Sequence, residues 1–341
     1  MTQLARTDQE TPPRALGSEL SRPGVGLLAA IAAAHLWAVS GVFGKIVMTG
    51  SLSPARLVFY RSVLSALMLL AVLLWRDRSL LRLSRRDLPF FLAMGMLGLA
   101  LTQFTYYSAI QSLSVGMAIL LQYLAPLWML LFERFWLKTR LTPARLAALT
   151  LALAGCAMVS VETESTRRWG SAGVLLGLTA GVCFAFYTLM TRHALKSYRD
   201  LTVLFYSFLF SALFWSASPD SWQPLSQIES FKIWMILYVV VFGTVFPYLL
   251  FMRAMKHLSA SHTGIISTLE PVVAAVIAWI FLQENLTGLQ LCGGLCVLLA
   301  IVILQKNTSN AELQAAGELP QRRQGAEAPL KGRIPPGDDE V

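Results

Sequence analysis

Four stretches of roughly twenty residues, 25–44, 169–191, 233–252 and 285–305, contain no charged side chain at all. A helix needs about 20 mostly apolar residues to cross the hydrocarbon core of a bilayer, so each of these is a transmembrane candidate on length and charge alone. Residues 88–132 are also uncharged, but they are too many for one crossing, and Gln111-Ser112-Leu113-Ser114 divides them into two. Three further spans carry ionisable groups: 55–75 holds Arg56 and Arg61, 143–161 holds Arg145, and 259–282 holds His262 and Glu270. Residues 201–218 are clean but short. Only 14% of the chain is charged, against about a quarter in a soluble domain, so the surplus apolar surface calls for lipid. The apolar runs are continuous and lack the alternation of a membrane barrel, which leaves helices. The expectation is an all-α integral membrane protein of ten transmembrane helices.

Counting positive charge in alternate connections orients those helices, because short cytoplasmic loops are enriched in Lys and Arg. With the N-terminus inside, 22 of the 28 Lys and Arg fall in cytoplasmic segments. Lys45, Arg56, Arg167, Arg168 and Lys232 fall outside, and Arg61 lies within a helix. Ten helices with both termini cytoplasmic is the consistent reading, in a cell or inner membrane. The net charge of +9 is therefore sorted by membrane side and does not indicate a nucleic-acid partner. Residues 1–23 have no apolar core after their basic residues and read as a disordered cytoplasmic N-terminus, not a cleavable signal. Residues 306–341, polar and rich in proline, read as a disordered cytoplasmic tail. Cys156, Cys183, Cys292 and Cys296 all fall in predicted spans and read as small core residues.

A shift of 145 residues lays the third and fourth helices on the eighth and ninth: Ser114, Pro126, Leu141 and Thr142 meet Ser259, Pro271, Leu286 and Thr287. A shift of 147 pairs Gly26 with Gly173. Ser114, Ser259, Thr142 and Thr287 suit helix caps, while Pro126 and Pro271 are expected to kink their helices in mid-membrane and serve as gating points. Five helices separate the copies, an odd number, so the two halves (24–161 and 169–305) are expected to point in opposite directions. Inverted repeats of this kind build secondary transporters, with the substrate near the midplane between them.

Ala118 to Leu127 (Ala-Ile-Leu-Leu-Gln-Tyr-Leu-Ala-Pro-Leu), Leu-Glu-Pro-Val at Leu269 to Val272 and Gln-Glu-Asn-Leu-Thr at Gln283 to Thr287 resemble the EamA family of the drug/metabolite transporter superfamily. The resemblance implies ten helices, a central cavity, alternating access and a small-molecule substrate such as an amino acid, another metabolite or a drug, often moved outward. The acidic residue before Leu-Thr is present as Glu284, but Thr139 holds the equivalent place in the first half.

Ionisable and polar groups inside spans mark candidate cavity residues, since they are costly in lipid and face an interior. Glu270, directly before Pro271, is a candidate proton-coupling or amine-contacting carboxylate, or else a carboxylate paired with freed backbone or a cation on another helix. Arg61 is expected to snorkel to the outer surface, with a substrate carboxylate as the rival partner. His35 and Trp37 lie in the middle of the first helix, Gln103, Tyr106, Gln122 and Tyr123 in the third and fourth, Tyr187 and Tyr248 in the sixth and eighth. Trp75, Trp136, Trp169 and Trp222 suit bilayer interfaces instead. No Gly-rich phosphate loop with Lys, paired His or Gly-x-Ser-x-Gly is present, so no enzyme, metal or cofactor is expected. The functional expectation is a secondary active exporter of an amino acid or related amphipathic compound, monomeric or homodimeric, with protons a candidate coupling ion. Drug efflux or import by the same fold are the alternatives, and a receptor signalling through its tail is a remoter one.

Overall fold

A computed structural model of the chain describes residues 23–48, 52–113, 115–135, 138, 142–159, 171–222, 228–282, 287–289 and 291–303. Both expected tails, Ser114, Thr139, Glu284, Leu286, Trp136 and Trp169 lie outside these residues. The regular elements are helical: α1 (Pro23–Val47), α2 (Pro54–Arg76), α3 (Leu88–Ser112), α4 (Val115–Gln122), α5 (Ala125–Phe135), α6 (Pro143–Val159), α7 (Ser171–Ala194), α8 (Asp200–Ser216), α9 (Ser230–His257), α10 (Ala260–Ser267), α11 (Leu269–Leu282) and α12 (Leu291–Ile303). Among the described residues six stretches are long and apolar enough to cross a membrane: Pro23–Gly41, α2, α3, Ala118–Phe135, α7 and α9. The protein is a multi-pass membrane protein.

Helix starts follow local chemistry. The Ser53 hydroxyl accepts from the Arg56 backbone N–H and Pro54 opens α2, where its missing donor costs nothing. Ser259 caps α10 by accepting from the His262 N–H at 3.1 Å, and the Thr142 hydroxyl accepts from the Arg145 N–H at the start of α6. Pro126 and Pro271 correct the expectation of mid-helix kinks. The helical runs end before them, at Gln122 and Ser267, and restart at Ala125 and Leu269, so each proline sits in the first turn of a new helix. The chain breaks the helix instead of bending it, because a first-turn proline leaves no carbonyl without its partner. Both α3 and α9 contain a π-helical stretch, Met94–Ala100 and Val241–Val245.

α1 packs along α9, α10 and α11, α7 packs along α3, α4 and α5, and α2 packs on α8, where the hydroxyls of Ser62 and Ser211 lie 2.8 Å apart. Glycine permits the closest approaches. A Cβ on Gly181 would lie 3.0 Å from the Leu121 carbonyl oxygen and 3.2 Å from that of Gln122, both backbone atoms that cannot swing away. Gly181→Ala is therefore expected to lower stability by about 1–3 kcal/mol, despite alanine's better helix propensity. Thermal unfolding in detergent checks this, with Gly24→Ala, which meets nothing within 4 Å, as the control expected to show no loss.

At one end of the bundle Arg145 (α6) donates to Glu133 (α5) at 2.8 Å, to Ser261 at 2.7 Å and to Ser259 at 3.1 Å, while the Ser261 N–H and hydroxyl donate to the same carboxylate. The connection between α2 and α3 is pinned to α8 by Thr202 and Tyr206, whose hydroxyls donate to the carbonyls of Leu80 and Leu81. Cys292 and Cys296 correct a second expectation. Cys292 is exposed and Cys296 half-buried, because it is Gly293 that turns inward, its carbonyl 2.6 Å from where a Cβ on Gly155 would sit. Cys156 and Cys183 are buried as small core residues. Trp75 and Trp222 are exposed, 89% and 67%, as interface residues are expected to be.

Candidate functional site

Seven helices converge on one cavity whose lining mixes aromatic rings with a few polar and charged groups, the composition of a small-molecule site. α1 contributes Trp37, Ser40 and Gly41, α2 Arg61, α3 Thr102, Gln103, Tyr106 and Tyr107, α4 Gln122, α7 Phe184, α9 Gly243 and Tyr248, and α11 Glu270. Tyr123, in the break after α4, completes the lining. Three aromatic rings from three helices form one wall: Trp37 stands edge-on to Tyr248 at 5.3 Å and to Phe184 at 6.3 Å.

The two irregular features of the backbone place the two charges. Within the π stretch of α9, the Thr244 hydroxyl donates to the carbonyl of Val239, five residues back, at 2.8 Å. Its lone pairs are left to accept from Arg61 Nε at 3.1 Å and Nη2 at 2.8 Å. Arg61 also donates to the Tyr107 hydroxyl and lies over the Tyr107 ring, 5.2 Å from its centre. Arg61 is thus buried and held inward at the cavity. This overturns the expectation that it snorkels outward: neutral acceptors on α3 and α9 replace water along the guanidinium edge, and its short reach to Thr244 keeps the group within the bundle. Glu270 sits in the first turn of α11, where the helix dipole favours an anion, and accepts from the Tyr123 hydroxyl at 2.5 Å. Its partner is therefore a phenol from the other broken helix, not the backbone freed by Pro271. The ion pairs among the described residues include Glu133 with Arg145, Glu229 with Lys232 and Asp200 with Lys256; Arg61 and Glu270 line one cavity and bond hydroxyls instead of each other.

Of the residues singled out in the sequence, Arg61, Glu270, Trp37, Gln103, Tyr106, Gln122 and Tyr248 line the cavity. Two do not. His35 is exposed, its ring nitrogen donating to the Ile31 carbonyl at 2.8 Å, because residues two apart on a helix point about 200° apart and Trp37 takes the inward direction. Tyr187 is fully buried behind the wall, its ring 5.8 Å from that of Tyr248, against the flat face left by Gly98. Tyr123, named beside Gln122 in the sequence, lines it too, whereas Tyr107, Thr102, Ser40, Gly41, Phe184 and Gly243 were not singled out as cavity residues. The repeat itself held a signal for two of them: a shift of 147 carries Trp37 onto Phe184, and a shift of 145 carries Gly98 onto Gly243.

The EamA-like transporter family matches this chain twice, over residues 24–161 and 171–305. The chain belongs to that family. EamA relatives include the pseudopaline exporter CntI of Pseudomonas aeruginosa, 25% identical over 82% of this chain and 96% of its own length. The threonine/homoserine exporter RhtA of Salmonella typhimurium is 29% identical over 58% of this chain and 64% of its own length. A crystal structure of a protein 19% identical in sequence superposes with a TM-score of 0.72 over 85% of this chain and 99% of that one, a likeness of fold. As a member of an EamA-type transporter family, the protein acts on a small molecule at a membrane.

Proposed function

We propose that this EamA protein is a secondary active exporter of a small zwitterionic metabolite such as an amino acid, working by alternating access around the cavity of Arg61 and Glu270. The observation that carries the reading is that one guanidinium and one carboxylate line the same aromatic-walled cavity without pairing. A molecule bearing both charges complements both groups at once, its carboxylate at Arg61 and its ammonium at Glu270, and the charge-assisted bonds are strong where water is excluded. Outward direction is proposed from the names of the two relatives, both exporters.

The architecture proposed is ten crossings in two inverted halves, with α4 and α5 forming one broken crossing and α10 and α11 its counterpart. Exchange of the halves supports it. Gly26 faces Leu258 and His257, as Gly173 faces Leu113 and Ser112; Gly243 faces Ser40, as Gly98 faces Tyr187. Each pair maps onto the other by shifts of 145 and 147 residues, and so do the breaks at Tyr123 and Thr268 and the π stretches of α3 and α9. Broken helices whose ends meet the substrate are a transporter device. The charge bias of the loops supports termini on the cytoplasmic side of an inner membrane.

Glu270 is the proposed coupling group, since a carboxylate that binds an ammonium in one state can carry a proton in the other. Glu270→Gln is expected to leave folding intact and to make flux in liposomes independent of an imposed pH gradient. Flux of the variant that still follows the gradient would sink the coupling role. For the function as a whole, purified protein in liposomes should exchange labelled amino acids, and a panel of the twenty that moves none under any gradient would overturn it.

A further inference from the structure

The polar groups of the cavity divide into two sets. Arg61 bonds Thr244 and Tyr107, and Glu270 bonds Tyr123, each across helices. Gln103, 4% exposed, has neither amide atom in a hydrogen bond of ordinary geometry, its polar neighbour being the Tyr248 hydroxyl of the cavity wall, and the Tyr106 hydroxyl and the Gln122 amide oxygen are likewise without such a bond. Gln103 and Tyr106 are three residues apart on α3 and share a face, and the Tyr106 hydroxyl lies 3.9 Å from where a Cβ on Gly41 would sit, so a side chain there would crowd it. One hydroxyl nearby cannot satisfy an amide's two donors and its acceptor, a buried amide left short of partners is costly, and a leucine would serve the packing of an apolar helix better. These groups are thus shaped for a partner that arrives from outside. Together they offer an NH₂ donor, two carbonyl acceptors and a phenol that does either. They carry no charge. Their complement is a neutral group that both donates and accepts, a hydroxyl or a carboxamide.

We infer that Gln103, with Tyr106 and Gln122, reads a neutral hydrogen-bonding side chain on the carried molecule, so that hydroxylated and carboxamide-bearing amino acids are preferred to their aliphatic isosteres. The inference rests on the zwitterion reading of Arg61 and Glu270, and adds what the third part of the substrate must be. A site built to bond a hydroxyl rejects the analogue lacking it because its own polar groups are then left unpaired, whereas an apolar pocket discriminates weakly. Threonine and valine, which differ by a hydroxyl in place of a methyl, are the direct probes.

The test is counterflow of labelled threonine and labelled valine by the full chain in liposomes, for the wild type and Gln103→Leu. The wild type is expected to favour threonine by roughly tenfold or more, about what one stranded polar group is worth. Gln103→Leu should bring the ratio near one, by losing threonine flux and gaining valine flux. Its thermal stability without substrate should equal or exceed that of the wild type, since the substitution removes an amide whose hydrogen-bonding capacity is mostly unmet. A lowered stability would assign Gln103 a structural partner and overturn the inference, as would a threonine to valine ratio unchanged in the variant. Equal flux of the two in the wild type overturns it while leaving the zwitterion reading standing. If neither moves, nor any other amino acid, the zwitterion reading falls and this inference with it.

Discussion

Arg61→Met is expected to abolish saturable transport while leaving the empty protein as stable as the wild type or more so. Two arguments converge on this. The guanidinium is held by the Thr244 hydroxyl and the Tyr107 hydroxyl with the Gly243 carbonyl 3.4 Å from Nη2, all neutral acceptors, so its charge is solvated in the bundle but not balanced by a carboxylate there. A buried charge without a counter-charge is a liability that apolar residues of similar volume relieve. A substrate carboxylate supplies the missing charge, and a hydrogen bond to a charged group is worth about 1.5–3 kcal/mol, or roughly 10- to 150-fold in affinity. Methionine keeps the volume and removes both effects. The checks are thermal unfolding with and without amino acids, and counterflow in liposomes. The wild type should be stabilised by its substrate through mass action, and the variant should not respond. Arg61→Lys should recover part of the binding but not all, because an ammonium cannot present the planar fork that spans Thr244, Gly243 and Tyr107 at once. If Arg61→Met transports normally, the guanidinium is scaffolding and the cavity recognises something other than an anion.

The residues that build this site were legible in the sequence to different depths, for physical reasons. An ionisable or polar side chain inside an apolar run announces itself, because lipid gives it no reason to be there, and that signal sufficed for Arg61, Glu270, Gln103 and Gln122. It does not say which way the side chain points. His35 and Trp37 lie two residues apart and cannot both face inward, and only the packing of α1 against α9 decides between them. Arg61 looked bound for the surface because the sequence does not reveal that α9 loosens into a π turn opposite it, placing Thr244 within reach. The break before Pro126 was likewise invisible as a break. A proline fixes where a helix loses a donor, but whether the chain kinks or restarts depends on what fills the gap. Here Tyr123 fills it and reaches a carboxylate 147 positions away. Small residues such as Ser40, Gly41 and Gly243 carry no chemical signature of their own. They line the cavity because they are small, allowing α1 and α9 to approach until a Cβ on Gly243 would overlap the Ser40 hydroxyl.

The cluster at the end of the bundle leads to an expectation of comparable size and opposite sense, in which removing a charge destabilises. Glu133→Ala is expected to lower stability by about 3–5 kcal/mol, the usual cost of stranding the partner of a buried pair. Glu133 is 3% exposed, and its carboxylate serves Arg145, the Ser261 hydroxyl and the Ser261 backbone N–H in the first turn of α10, so one truncation leaves a cation and a helix start without their anion. Glu133→Gln keeps the volume and one acceptor and should cost less. The decisive comparison is the double replacement Glu133→Leu with Arg145→Met. It deletes both charges together, so nothing is stranded, and its stability should return close to that of the wild type. Thermal unfolding in detergent reads all three, and a double variant as unstable as Glu133→Ala would mean that the pair itself, and not the avoidance of a lone charge, holds α5 and α6 to α10. The double variant has a second use. The cluster fastens helices of the first family match to one of the second at one end, so the proposed rocking of the halves predicts that it parts during the cycle. An apolar seam there separates differently from a polar one, so counterflow by a fully stable double variant should differ in rate from the wild type while its threonine to valine ratio, set at Gln103, remains the same.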